Sequence, residues 1–247
     1  MIRWLLLFAL VAAPAHAAEL KVLSAGAINS VANAIVPSYE AATGNTVVLN
    51  NDTVGGLIRR INAGETFDVV LMSPAGLAEL QLAGKIAPPT ITDLARVGVG
   101  VAVKAGAPVP DISSVDSFRS ALLAARSVAY VDPASGATSG KYLATLFQTM
   151  GIADVMAAKS VLVQGGLAAE TLRDGRADMA LQQISELMGV HGVTVVGPLP
   201  AEIQAYTVYS GAVAAQAAHA DAARAFLADM KSDTAKAMMA ARRMTPP

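Results

Sequence analysis

Short apolar runs, each ending in a small-residue turn that opens into a helical pattern, recur along this chain. That alternation points to an α/β fold with mostly parallel sheets. Lys21 to Ser24 runs into Ala25-Gly26-Ala27 and then a helical pattern from Asn29 to Ala42 that stops at Gly44. Val47 to Asn50 leads through Asn51-Asp52-Thr53-Val54-Gly55-Gly56, with Asp52 or Thr53 as a helix cap, into Leu57 to Ile61. Asp68 to Met72 enters Ser73-Pro74 and a helix over Ala75 to Ala83. The pattern resumes with strands at Val128 to Val131, Val161 to Val163, Met179 to Leu181 and Val193 to Val196. Helices at Ser117 to Ala125, Ser139 to Met150 and Leu167 to Arg173 lie among them, and two more close the chain. Two longer apolar strands, Val97 to Lys104 and Tyr206 to Ala214, pass between otherwise complete βαβ blocks. They predict that the chain crosses twice between two lobes, with residues 18–101 and 208–247 in lobe I and 102–207 in lobe II.

The first residues carry a different message. Arg3 precedes an unbroken apolar run from Trp4 to Ala13, followed by Pro14 and Ala15-His16-Ala17. This is the pattern of a secretory signal, expected to span residues 1–17 and to be cleaved near Ala17. The run is too short for the ~20 apolar residues that cross a bilayer. The expected location is the periplasm. Lys and Arg number 18 against 19 Asp and Glu, so the chain is close to neutral and slightly acidic. That argues against a nucleic-acid partner. With no cysteine, disulfide frameworks, thiolate nucleophiles and thiolate metal sites are excluded, and the fold must rest on an ordinary core. A soluble monomer is expected.

Ligands of parallel α/β sheets sit beyond the carboxyl ends of strands, where helices begin. The chain places there Ser24, Gly26 and Ala27; Thr53, Val54 and Gly55; Ser73; Thr138 and Ser139; Gln164 and Gly165; Gln182 and Gln183. These turns are rich in Gly, hydroxyls and amides and contain no Lys or Arg. Such a set binds a small anion through backbone N–H groups and helix N-termini. Arg59 and Arg60 follow as a solvated helix face, and Arg96 opens the first crossing strand, where a carboxylate could meet it. His191 and His219 lack partners for a metal or catalytic role, and no cofactor or metal is expected.

The blocks KVLSAGAINSVANAIVPSYEAATG, NAGETFDVVLMS, VAYVDPASGATSGKYLATLF and QAYTVYSGAVAA resemble the periplasmic molybdate-binding proteins of ABC importers, over nearly the whole chain beyond residue 17. The resemblance implies a type 2 periplasmic-binding-protein fold, a ligand between two lobes joined by two hinge crossings, and an importer membrane component as partner. It also implies that ligand-binding serines of the family fall on Ala27 and Val54, a backbone donor on Ser139, the next donor on Gln164, and a tyrosine hydroxyl on Gln182. Replacing two hydroxyls by Ala27 and Val54 removes the cage for a tetrahedral oxyanion. The space, with Gln164, Gln182, Gln183 and Ser185, suits an organic di- or tricarboxylate.

Three functions compete. The first is capture of such an anion for ABC-type import. The second is an isomerase on the same scaffold, since periplasmic aconitate isomerases resemble this family too. An allylic proton shift needs a base and donors for the developing charge, and the acids near the turns are Asp132, Asp52 and Glu186, with Asp132 before Pro133 reading first as a turn-former. The third, a purely structural envelope protein, gives no reason for donor-rich turns to converge.

Overall fold

The computed structural model describes residues 17–247; the expected signal segment up to His16 lies outside them. In chain order the elements are β1 (Glu19–Ala25), α1 (Gly26–Thr43), β2 (Thr46–Asp52), α2 (Val54–Asn62), β3 (Val69–Met72), α3 (Pro74–Leu82) and β4 (Thr92–Lys104). Next come α4 (Val115–Ala124), β5 (Val128–Val131), α5 (Thr138–Thr149), α6 (Ala153–Lys159), β6 (Ser160–Val163), α7 (Glu170–Arg173), β7 (Met179–Gln183) and α8 (Ile184–Leu187). The chain ends with β8 (Val193–Pro198), β9 (Tyr206–Val213), α9 (Ala220–Asp229) and α10 (Asp233–Ala241).

The strands run in the order β2-β1-β3-β9-β4-β7-β5-β6, with β8 also on β4. On the flanks the pairings β1 with β2 and β3, and β5 with β6 and β7, are parallel. Those that involve the two long strands are antiparallel. The fold is therefore the α/β architecture the alternation predicts. Both long strands lie at its centre. β4 pairs with β9 from Thr92 to Gly98, then with β7 from Val99 and β8 from Gly100, so one strand serves both halves of the molecule.

Burial explains which strands read as continuous apolar runs. β3, β5 and β7 are buried at every residue because helices cover both faces. β2 and β6 sit at the ends of the sheet and are only partly buried. The first half packs Leu23, Ile28, Val70 and Leu71 with Phe226 against its helices, and Tyr39 meets Phe226 edge-on at 5.2 Å. The second packs Phe118, Leu143 and Leu181 around Phe147, with Tyr130 edge-on at 5.5 Å, beside a small-residue cluster of Ala129, Ala168 and Ala180. Aromatics are few, so aliphatic side chains fill most of both cores.

Three elements depart from the sequence reading. Helix α6 is not among the elements read from sequence, and Leu167 to Arg173 is helical only over its last four residues, α7. The single helical turn α8 packs on α1 across the middle of the molecule, where Ile184 joins the first half's core and Ser185 Oγ donates to Ala27 O at 3.0 Å. Four residues carry no 3.6-residue periodicity to read.

Candidate functional site

The turns at β1–α1 and β2–α2 face those at β5–α5 and β7–α8 across a narrow cleft. Its wall comprises Ala25, Gly26 and Ala27, then Asn51 to Val54, then Val131 with Ala137 to Ser139, then Gly166, Gln182, Gln183 and Glu186, with Tyr209 of β9. The halves touch beside it. Thr53 Oγ1 donates to Ser135 O at 2.8 Å, Gly55 N to Gly136 O at 3.4 Å, and both terminal nitrogens of Arg59 reach Ser135 O at 3.5 Å. A Cβ on Gly55 would lie 2.7 Å from Gly136 Cα and 2.8 Å from Ser135 O, so closure to this distance needs glycine there.

The longest helix, α1, and the next longest, α5, both begin on the cleft wall, capped by Ala25 and Ala137 with no side-chain acceptor for their first-turn N–H groups. Thr53, Ser73, Ser114 and Ser232 do cap α2, α3, α4 and α10 with their hydroxyls. The starts of α6 to α9 also lack a side-chain cap, but it is the long helices α1 and α5 that turn free donors and partial positive charge toward the cavity from opposite halves. They are suited to carboxylates.

Glu186, on α8, points the other way in charge. Its carboxyl sits against Gly26, where any Cβ would collide with Oε1. Glu186 is partly buried and lines the cavity, and desolvation pushes its pKa up to about 8, with the Gln182 side chain opposing. In the closed cleft it holds a proton at neutral pH. Burial also drives the Tyr209 phenol up, reinforced by the charge of Glu186 and opposed by the Thr138 hydroxyl. Asp52 shares the wall, but Thr53 N donates to its Oδ1 at 2.7 Å and Arg60 holds its Oδ2 at 3.4 Å. Arg60 in turn pairs with Glu65 at 2.6 Å and, through that bond, keeps the Glu65 carboxyl down at about 2.

Of the residues singled out from sequence, Gly26, Ala27, Asp52, Thr53, Val54, Thr138, Ser139, Gln182, Gln183 and Glu186 meet on this wall. The others lie off it. Ser24 is fully buried and donates to Ala25 O at 3.2 Å, and Ser73 is occupied as the cap of α3. Gly55 packs on Gly136, and Gly165 faces the Thr53 methyl group. Gln164 is exposed and donates to Asp132 Oδ2 at 2.9 Å, while Asp132 Oδ1 accepts from Ala134 N, so the turn-forming part of Asp132 accounts for both oxygens. Arg96 stacks over Tyr206 at 5.3 Å and bonds Thr245, away from the cleft. Tyr209 and Asn51 are additions from the structure. Tyr209 was hidden in an apolar crossing strand, where the only signal was a phenol in an otherwise apolar run.

Among the described residues no group of His, Asp and Glu could hold a metal ion, and no helix is long and apolar enough to cross a membrane.

Residues 20–242 match the family described as bacterial extracellular solute-binding protein. An aconitate isomerase of a Pseudomonas species is 37% identical over 225 residues, covering 89% of this chain and 85% of that protein. The periplasmic molybdate-binding protein of Azotobacter vinelandii superposes with a TM-score of 0.78 at 19% identity, over 92% of this chain and 99% of that one. The sulfate-binding protein SubI of Mycobacterium tuberculosis gives 0.74 at 18% identity, over 93% and 87%. The two structural likenesses show a shared fold.

Proposed function

This chain belongs to the bacterial extracellular solute-binding proteins, and we propose that it closes around a small unsaturated polycarboxylate outside the cytoplasmic membrane and shifts an allylic proton within it, as an aconitate isomerase would. The observation that carries this reading is Glu186. Of the two acids on the wall, Asp52 has both oxygens engaged by Thr53 N and Arg60, whereas Glu186 presents a carboxyl whose pKa is about 8 among amides, hydroxyls and the N-termini of α1 and α5. A carrier of anions gains nothing from such a group; a proton-transfer enzyme needs one near its working pH.

The ionised Glu186 takes a proton from the methylene carbon next to a ligand carboxylate. The electron pair spreads through the neighbouring C=C bond toward the carboxylate at the far end. The N-termini of α1 and α5 stabilise the charge that accumulates on those oxygens. The protonated Glu186 then returns the proton to the former vinyl carbon, and the double bond has moved by one carbon with no net change in protons. In aconitate the product is aconitate again, and the conformation held during transfer decides between cis and trans. Ala27 and Val54 support this ligand class over a tetrahedral oxyanion because neither offers a hydroxyl. The identity to the Pseudomonas aconitate isomerase supports the reaction.

A second reading, delivery of the same anion to the membrane component of an ABC importer, is favoured by the family and by the bonds that join the halves across the cleft. NMR of cis- and trans-aconitate in deuterated buffer separates the two. Interconversion with deuterium entering the ligand, lost in Glu186→Gln while binding persists, supports the isomerase. A tight complex without turnover would leave only delivery.

A further inference from the structure

We propose that Gln183 reads one carboxylate of the ligand and sets the preference for three carboxylates over two, an inference that rests on the polycarboxylate reading above. The adjacent glutamines at the end of β7 differ in a way their sequence does not show. Gln182 is satisfied within the protein: Ala168 N donates to its Oε1 at 2.8 Å, and its Nε2 donates to Gly166 O at 2.9 Å. It positions the turn that carries Gly166. Gln183 is 2% exposed and lines the cleft, and its Nε2 has no hydrogen-bond partner among the described residues.

Its position is fixed by the backbone. Gln183 pairs with Val99 in the β4–β7 ladder and forms the N-cap position of α8. A buried donor held without an acceptor is destabilising, and an acceptor brought against it relieves that cost. An amide N–H takes a carboxylate or carbonyl oxygen and rejects an ammonium group. The cleft then holds three separate stations for ligand oxygens: the N-terminus of α1, the N-terminus of α5 and the Gln183 amide. Three stations match three carboxylates, and they leave Glu186 for the carbon framework between them.

The test uses the full chain and isothermal titration with trans-aconitate and with three dicarboxylates that each lack a different one of its carboxylates, glutaconate, mesaconate and itaconate. Gln183→Met keeps the length of the side chain and removes the donor. It should weaken aconitate about 10- to 100-fold and leave the affinity of one dicarboxylate unchanged, which identifies the carboxylate that Gln183 reads. Gln183→Glu should weaken aconitate further through like charge. The unliganded Gln183→Met protein should melt at the same temperature as wild type or higher, because an unpaired buried donor has been removed. Equal weakening of all four ligands, unchanged affinity for aconitate, or a lower melting temperature without ligand would each overturn the inference alone. Failure of the wild type to bind any of the four would overturn the polycarboxylate reading and this inference with it.

Discussion

Glu186 ties the chemistry of the cleft to pH through a sign that can be worked out. Its pKa rises from an ordinary 4.5 to about 8 in the folded protein, so between those values the folded chain keeps a proton that the unfolded chain has released. The stability this group permits is fully present below about pH 4.5 and is lost as pH rises to about 8, by a few kcal/mol at most. Chemical denaturation of wild type and Glu186→Gln at pH 5, 7 and 9 should show the variant gaining on wild type as pH rises; parallel profiles would place the carboxyl in water. Proton transfer depends on the same group in the opposite sense. Only the ionised form is a base, so the isomerisation rate at saturating ligand should climb with pH and level off above about 8. A rate that is flat from pH 6 to 9 would assign the proton to another group. Glu186 was legible in the sequence only as one acid among three, because what distinguishes it is the packing of α8 against Gly26, two positions 160 residues apart in the chain.

The strand-to-helix alternation was readable because it repeats with a clear period, and the turns it exposed include most of the cleft wall. What escaped were features without a period. The turn α8 is too short, and Tyr209 merges into the apolar run of β9. The uncapped starts of α1 and α5 read in sequence only as alanines. Gly55 was read as a turn residue approaching the ligand, and it is the approach of the second half that requires it. Gly55→Ala retains ordinary backbone angles but puts a Cβ into Gly136 and Ser135. It should hold the cleft partly open, weakening aconitate by about tenfold or more with little change in the unfolding midpoint without ligand. Small-angle scattering with saturating ligand should report a larger radius of gyration than wild type. A wild-type radius and affinity would remove closure at this contact from the account.

Ligand binding is expected to draw the two halves together, so the whole molecule should gain stability with any anion that fits. The gain follows ligand concentration, about 2.7 kcal/mol at 100 times Kd. In a thermal-shift series, aconitate and related tricarboxylates should raise the melting temperature by several degrees and molybdate, tungstate and sulfate should not. Stabilisation by molybdate alone would restore the oxyanion cage that Ala27 and Val54 are read as having removed. The two long strands are legible in the sequence as extended apolar segments, but their pairing side by side at the centre of the sheet is not, because strand order is a property of the assembled sheet. Any rotation of one half against the other has to pass through that pairing. β4 is held from Thr92 to Gly98 by β9, and at Arg96 by Thr245 on its other edge; from Val99 onward it is held by β7 and β8. At the junction of these grips, the Gln204 amide clasps both backbone groups of Val99 at 2.9 and 2.8 Å, packed against Gly98, where a Cβ would press on it. If the halves move as the proposed function requires, such a strand would act as a flexure, bending near Val99 between its two paired stretches, and each closure would return the carboxyl of Glu186 to the same place beside Gly26.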